Sequence, residues 1–384
     1  MFSPLFKSTT LCSAVFLLLA GALFAATHDS SIDSIFTPLI DAKSPGAAVL
    51  LRKNGRTVFA HGYGVSDLRT FAKIDLHTNF RLASFSKQFT AMAIMLLVHD
   101  GKLRYDQNLT EIFPGFPDYG RAITVRHLLT HTSGLADYET LMEEKEKAEG
   151  LIWSASNQIH DEDVFTLLAQ QRNGKFAPGT SWAYSNSGYV VLGLIVAKIS
   201  GVPYAEFLRR RIFAPLKMSH TIAYVNGQNT VRRRAYGSSK TDGQWRDTDQ
   251  SATSATLGDG GIYSNVLDLA RWDDALASEK LLLKSEMVPA LEPVKLNDGS
   301  PPHWPAADNS GDNLAPGKPV SYGFGWFLNP LDGRPRTWHN GSTSGFRTVI
   351  ERFSEEALTI IILCNRTDLD PAQLAEKIAR LKLQ

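Results

Sequence analysis

Cysteine is nearly missing from this chain. Its 384 residues hold two, Cys12 and Cys364. Cys12 lies in an N-terminal apolar stretch behind Leu11, where a lipid-attachment cysteine would need a small neighbour. Once that stretch is cleaved, Cys364 stands alone, and a single cysteine closes no internal disulfide. A disulfide-stapled scaffold is therefore excluded. Cys364 follows Ile360-Ile361-Ile362-Leu363, the setting of a buried strand residue rather than a nucleophile. An excess of one charge is also missing: 40 Lys and Arg face 39 Asp and Glu, a net +1. That balance gives no electrostatic case for nucleic acid or an anionic membrane surface. The short cluster Arg232-Arg233-Arg234 reads as a solvated patch. Apolar runs of the about 20 residues needed to cross a bilayer are absent. Leu11 to Ala22, with Lys7 before it and Ala25-Ala26 after it, has the pattern of a secretory signal peptide over residues 1–26. Export to the periplasm or outside the cell is the expectation.

What remains is ordinary globular material, 43% hydrophobic and 21% charged, without repeats or a low-complexity linker. Two β-rich runs, Ala47 to Leu51 and Thr57 to His61, flank Asn54-Gly55, a hairpin signal. Residues 84–100 read as a helix closed at Gly101, apolar around nearly its whole circumference and hence buried. A second apolar helix spans 188–200 and is closed by Gly201. Residues 225–250 and 296–320 are rich in Gly, Asp, Asn, Pro and Ser and read as long loops. Glu143 to Glu149 reads as an exposed helix face or loop, 346–364 as strands, and 371–382 as a closing amphipathic helix. Strands at both chain ends with helices between them predict an α+β fold. One antiparallel sheet would come from about 40–83 and 320–384, and a large helical insertion from about 84–319.

The chemistry starts at Ser84-Phe85-Ser86-Lys87, an S-x-x-K motif. On a helix, residues three apart share a face, so the lysine amine can reach the serine hydroxyl. Serine needs a neighbouring base to attack at neutral pH. A lysine serves when burial makes its neutral form accessible. Alone the motif is weak, since about one or two chance matches are expected in a chain of this size. Two further triplets strengthen it: Tyr184-Ser185-Asn186 ahead of a helix, and His339-Asn340-Gly341 opening a strand. Each has a decoy, Tyr224-Val225-Asn226 and His99-Asp100-Gly101 respectively, and only context separates them.

With these residues in place, the chain resembles the serine β-lactamase and penicillin-binding superfamily. The likeness is to the branch of class C β-lactamases, D-aminopeptidases and related esterases. It extends from about Pro45 to Leu369. It also rests on His127-Leu128-Leu129-Thr130-His131-Thr132-Ser133-Gly134-Leu135, Phe213-Ala214-Pro215-Leu216, Gly260-Gly261-Ile262 and Tyr322-Gly323-Phe324-Gly325-Trp326, in the family's order. The resemblance implies a β-lactamase/transpeptidase-like fold and an acyl-enzyme hydrolase without cofactor. Ser84 would be the nucleophile, with Lys87 and Tyr184 sharing the proton work. Asn186 would hold the substrate amide, and His339, Gly341 and Ser342 would line the substrate. The N–H groups of Ser84 and Ser342 would form the oxyanion hole. The implied substrate is a small peptide, ester or β-lactam-like molecule.

One departure matters. Many lactamases and transpeptidases carry lysine where this chain has His339. A histidine is mostly neutral above about pH 6.5, which weakens the case for penicillins and for D-Ala-D-Ala ends. It also suggests that His339 switches substrate charge preference between about pH 5 and 8. Rival readings fare worse. His127 and His131 have i,i+4 spacing, but Leu128 stands where a zincin needs glutamate, so no metal is expected. An α/β-hydrolase needs G-x-S-x-G, and Gly341 to Gly345 centres on Thr343. A non-catalytic binding protein would have no need to keep Ser84, Lys87, Tyr184 and Asn186 together. Of the N-x-S/T sequons at Asn108, Asn340 and Asn365, the second would put a glycan in the proposed site, which favours an unglycosylated route.

Overall fold

The computed structural model describes residues 29–306 and 315–383; the expected signal segment lies outside them. In chain order, α1 (Ser30–Phe36) precedes β1 (Ala47–Lys53), β2 (Arg56–Tyr63) and the short β3 (Phe80–Arg81). The helical part follows: α2 (Lys87–His99), α3 (Leu109–Ile112), α4 (Val125–Leu129), α5 (Tyr138–Glu149), α6 (Asp161–Ala169), α7 (Asn186–Ser200) and α8 (Tyr204–Leu208). Then come β4 (Ile222–Ala223), β5 (Ser238–Thr241), β6 (Gln244–Asp247), β7 (Ile262–Ser264), α9 (Val266–Ala277) and α10 (Lys284–Leu291). The chain closes with β8 (Thr337–Thr343), β9 (Phe346–Phe353), β10 (Leu358–Cys364) and α11 (Pro371–Lys382).

Asn54 and Gly55 both take positive φ, +51° and +71°. That is the turn geometry matching strand twist, and it pairs β1 with β2. The main sheet has the order β2-β1-β10-β9-β8 with antiparallel neighbours, so both chain ends build it. Successive residues of its central strands point to opposite faces. Ala48, Leu50, Ile350, Ile361 and Leu363 pack toward the helical part. Val49, Val349, Ile360, Ile362 and Cys364 pack under α1 and α11, against Phe36, Leu374 and Ile378. Covering both faces explains why β10 reads as an unbroken apolar run. Asp370 caps α11 by accepting from the N–H groups of Ala372 and Gln373.

In α2 every residue from Lys87 to Leu97 is buried. Beside it, α7 starts at the cap Ser185 and stops at the left-handed Gly201, φ +74°. Four expectations are corrected. The segment 84–100 is not helical from its first residue in the same way: a 3-10 turn, Ala83–Ser86, precedes α2. The loop expected over 225–250 contains the β5–β6 hairpin, whose turn is Asp242-Gly243 at φ +51° and +74°. That dipeptide is a hairpin signal which overall polarity masked. His127 and His131 share no helix face, because α4 ends at Leu129 and His131 sits at φ +60°. Finally, His339-Asn340-Gly341 lies inside β8 rather than at its start. Among the described residues no single helix is long and apolar enough to cross a membrane.

Candidate functional site

Ser84 sits where the backbone turns sharply. Ala83 before it has φ +52°, a left-handed conformation that costs a non-glycine residue about 1 kcal/mol or more. The turn is held from two sides. The N–H of Leu82 donates to Ile262 O (2.8 Å), and Thr348 Oγ1 donates to Leu82 O (2.7 Å). Edge strand β8 presses on the same carbonyl. A Cβ on Gly341 would lie 2.1 Å from Leu82 O and 2.4 Å from Thr348 Oγ1, so only glycine allows this approach. Ser84, Tyr184, Gly341 and Ser342 thereby line one cleft of about 340 Å³. It continues past Phe327 and Asn340 to Arg347 and the Asp368–Ala372 corner ahead of α11.

Lys87 is wholly buried. Its Nζ lies 2.9 Å from Ser84 Oγ, 2.8 Å from Asn186 Oδ1 and 3.0 Å from Asp259 O. The 3-10 turn explains the first contact, since side chains at i and i+3 nearly eclipse there. The same Nζ stands 4.9 Å from the centre of the Tyr184 ring and 5.5 Å from that of Tyr189. Asn186 opens α7, and the capping bond from Gly188 N–H to Ser185 Oγ (3.1 Å) fixes where that helix begins.

Behind Tyr184 is a packed aromatic layer of His131, Trp182, Tyr189 and Tyr322. The sequence reading placed none of its deeper members in the site. His131 and Tyr322 appeared only within segments that carry the family resemblance, His131 also as a rejected metal ligand, and Asp259 carried no signal beyond its neighbouring glycines.

His339 does not face the cleft as an available cation. Its side chain is fully buried, and its ring packs on Tyr322 and Phe327. Nδ1 is 2.6 Å from Asn340 O, a carbonyl that can only accept, so Nδ1 carries the proton. Nε2 then accepts from Tyr322 OH at 3.2 Å. Burial, with the nearby Lys87 charge, pushes its pKa down to about 3. The expected switch between pH 5 and 8 is therefore corrected: the ring stays neutral throughout that range. The structure brings Ser84, Lys87, Tyr184, Asn186, Gly341 and Ser342 together and buries the His339 ring beside Tyr184, their centres 6.2 Å apart.

The decoys lie elsewhere. Tyr224 OH bonds Asn226 Oδ1 (3.1 Å) at the surface, and His99 Nδ1 pairs with Glu286 Oε1 (2.6 Å). The Cys364 thiol is buried in β10, and burial pushes its pKa up to about 12. Asn365 is buried too, its amide donating to Tyr236 O (2.9 Å) and Val65 O (3.1 Å), which leaves that sequon no room for a glycan. Among the described residues no group of three or more His, Cys, Asp or Glu side chains is arranged to hold a metal ion.

Comparison with known proteins agrees with this architecture. The Beta-lactamase family matches residues 32–384. The chain is 31% identical to penicillin-binding protein 4* of Bacillus subtilis (strain 168) over 351 residues, 88% of this chain and 72% of that protein. Among solved structures, the octameric penicillin-binding protein homologue from Pyrococcus abyssi superposes with a TM-score of 0.73 at 25% identity, over 92% of this chain and 76% of that one. The D-amino acid amidase from Ochrobactrum anthropi SV3 shares the fold, with a TM-score of 0.74 at 24% identity over 91% and 96% of the two chains. The chain belongs to the β-lactamase family of serine hydrolases.

Proposed function

We propose that this member of the β-lactamase family is an exported hydrolase that cleaves peptide, amide or ester bonds through an acyl-enzyme on Ser84. The observation that carries the reading is the surround of Lys87 Nζ. Asp259 O and Asn186 Oδ1 can only accept hydrogen bonds. A neutral amine has two N–H donors and one lone pair. In its neutral form the amine can donate to those oxygens and take up the proton of Ser84 Oγ, 2.9 Å away. That is the geometry of a general base within reach of its nucleophile. Ser84 attacks the substrate carbonyl and passes its proton to Lys87. The N–H groups of Ser84 and Ser342 stabilise the oxyanion. Tyr184, whose ring borders Lys87, returns the proton to the leaving group. Asn186 and the β8 edge hold the substrate backbone, and water then releases the acyl group.

Residues 27–384 would form this one hydrolase domain, with residues 1–26 as its export signal. Similarity to a D-amino acid amidase fold makes D-residue amides and peptides the first substrates to test. A second reading, as a β-lactamase or D-alanyl-D-alanine carboxypeptidase, calls for a cation that receives a carboxylate. His339 supplies none, but Arg347 lines the far end of the cleft. Its Nη1 donates to the carbonyls of Thr343 (2.7 Å) and Phe346 (2.8 Å). The deciding experiment is turnover of p-nitrophenyl butyrate by the mature protein and by Ser84→Ala. Turnover confined to the wild type supports the reading, and equal turnover in both sinks it.

A further inference from the structure

We propose that His131 is a positioning residue that sets Tyr184 and Asn186 against Lys87. The inference rests on the proton-relay role of Tyr184 given above. His131 brackets the tyrosine from both sides. Its carbonyl accepts the N–H of Ala183 (3.0 Å), and its Nδ1 accepts the N–H of Ser185 (3.0 Å). One residue thus holds the N–H groups of the residues on either side of Tyr184, which restrains the tyrosine's backbone. The left-handed φ of His131, +60°, turns its carbonyl and its side chain toward the same segment. A non-glycine residue keeps such a conformation only when its surroundings hold it there.

The ring contributes as well. Its centre lies 4.4 Å from that of Tyr184, 4.6 Å from Tyr322 and 5.2 Å from Tyr189. The tyrosine is therefore backed by a flat surface while its backbone is bonded on either side. Accepting a bond at Nδ1 dictates the tautomer: the neutral ring carries its proton on Nε2. Nε2 is buried with no hydrogen-bond partner among the described residues. A second proton would occupy the lone pair that Ser185 N–H uses and break the clamp. The charged or titratable groups around the ring are Lys87, Tyr184, Tyr189, Tyr322 and His339, and burial together with the Lys87 charge holds the imidazole neutral. The consequence reaches Asn186, because Ser185 caps α7 and Asn186 is its first residue. Loss of the Nδ1 acceptor frees residue 185, and with it the Asn186 oxygen that engages Lys87.

Phenyl and p-nitrophenyl butyrate share an acyl group and differ in how much their leaving groups need a proton. The readout is kcat/KM, which reports acylation, in wild type, His131→Phe, His131→Asn, Tyr184→Phe and Ser84→Ala. Phenylalanine keeps the ring and loses the acceptor, whereas asparagine keeps an acceptor near the Nδ1 position. His131→Phe is expected to lower kcat/KM for the phenyl ester about tenfold more than for the p-nitrophenyl ester, the size of a partly lost proton transfer. His131→Asn should return most of that difference. Equal loss on both esters, or equal impairment of the Phe and Asn variants, overturns the inference, since a merely structural residue ignores the leaving group. A Tyr184→Phe enzyme without leaving-group discrimination overturns the tyrosine's role itself. Discrimination in Tyr184→Phe beside a wild-type-like His131→Phe overturns only the positioning. The ¹⁵N resonances of the wild-type His131 ring provide a check that needs no variant. An unprotonated Nδ1 from about pH 5 to 8 is expected, and a protonated Nδ1 overturns the clamp.

Discussion

The candidate site around Lys87 and the layer under α11 handle buried polar groups in different ways. In the site, Lys87, His131 and His339 are wholly or almost wholly buried, and the polar partners described for them are carbonyl oxygens, amides and hydroxyls. In the layer under α11, buried Glu351 meets Arg336 Nη1 at 3.1 Å, and the same nitrogen reaches Glu376 at 3.1 Å. The cluster around them is aliphatic and aromatic, including Phe36, Phe59 and Phe353. The first arrangement keeps groups close to neutrality and able to exchange protons. The second neutralises charge with charge, which serves cohesion and offers little chemistry. Substitutions around Lys87 should therefore strike activity, and those under α11 stability.

The sharpest test is Lys87→Ala. With its base gone, kcat/KM for p-nitrophenyl butyrate should fall on the order of 10²–10⁴-fold; activity within tenfold of wild type would break the contrast. Gly341→Ala comes next, because the new Cβ would sit 2.1 Å from Leu82 O and force β8 off the Ser84 turn. A displacement of that kind should lower kcat/KM by about 10²-fold, with a far smaller effect on denaturant-induced unfolding. Ile362→Ala, beneath α11, should do the reverse. Unfolding should show a loss of about 2–5 kcal/mol while kcat/KM per folded enzyme holds. Arg347→Ala probes the cleft's outer end. Carboxylate-bearing substrates should lose about tenfold in kcat/KM, the size of one charge-assisted contact, while neutral esters lose none. Equal losses would remove Arg347 from substrate binding.

Two further effects concern pH and carry opposite signs. His339 falls from an ordinary 6.5 to about 3 on folding, so the unfolded chain binds the extra proton between those values. Its contribution to stability is present above about pH 6.5 and is lost as pH falls toward 3. Glu351 rises from 4.5 to about 7, chiefly through burial, so the folded chain binds the extra proton. Stability declines as pH climbs from about 4.5 to 7. Thermal unfolding across pH should flatten in the upper window for Glu351→Gln and in the lower for His339→Asn. A Glu351→Gln curve parallel to wild type would contradict the upward shift that burial gives this carboxyl group.

The motif residues were legible because their signals are local. Asn54-Gly55 imposes its turn through φ, Gly201 closes its helix through a left-handed φ, and Ser84 meets Lys87 through three-residue spacing. The β5–β6 hairpin was missed although Asp242-Gly243 carried the right signal, because its strands are polar and exposed and show little apolar alternation. His131 was weighed for the wrong chemistry, since spacing alone suggested a shared helix face that the end of α4 at Leu129 denies it.

Composition, turn dipeptides, caps and ordered motifs by themselves determined the fold class, the two-ended sheet and the serine–lysine pair. These follow from interactions between residues a few positions apart or from the apolar periodicity of single elements. Tertiary packing alone decided the rest. The approach of Asn186 and Asp259 to Lys87 joins positions 99 and 172 residues away, and the neutrality of His339 comes from burial against Tyr322 and Phe327. Desolvation and hydrogen bonding across such separations depend on which surfaces meet, and no local stretch of sequence encodes that.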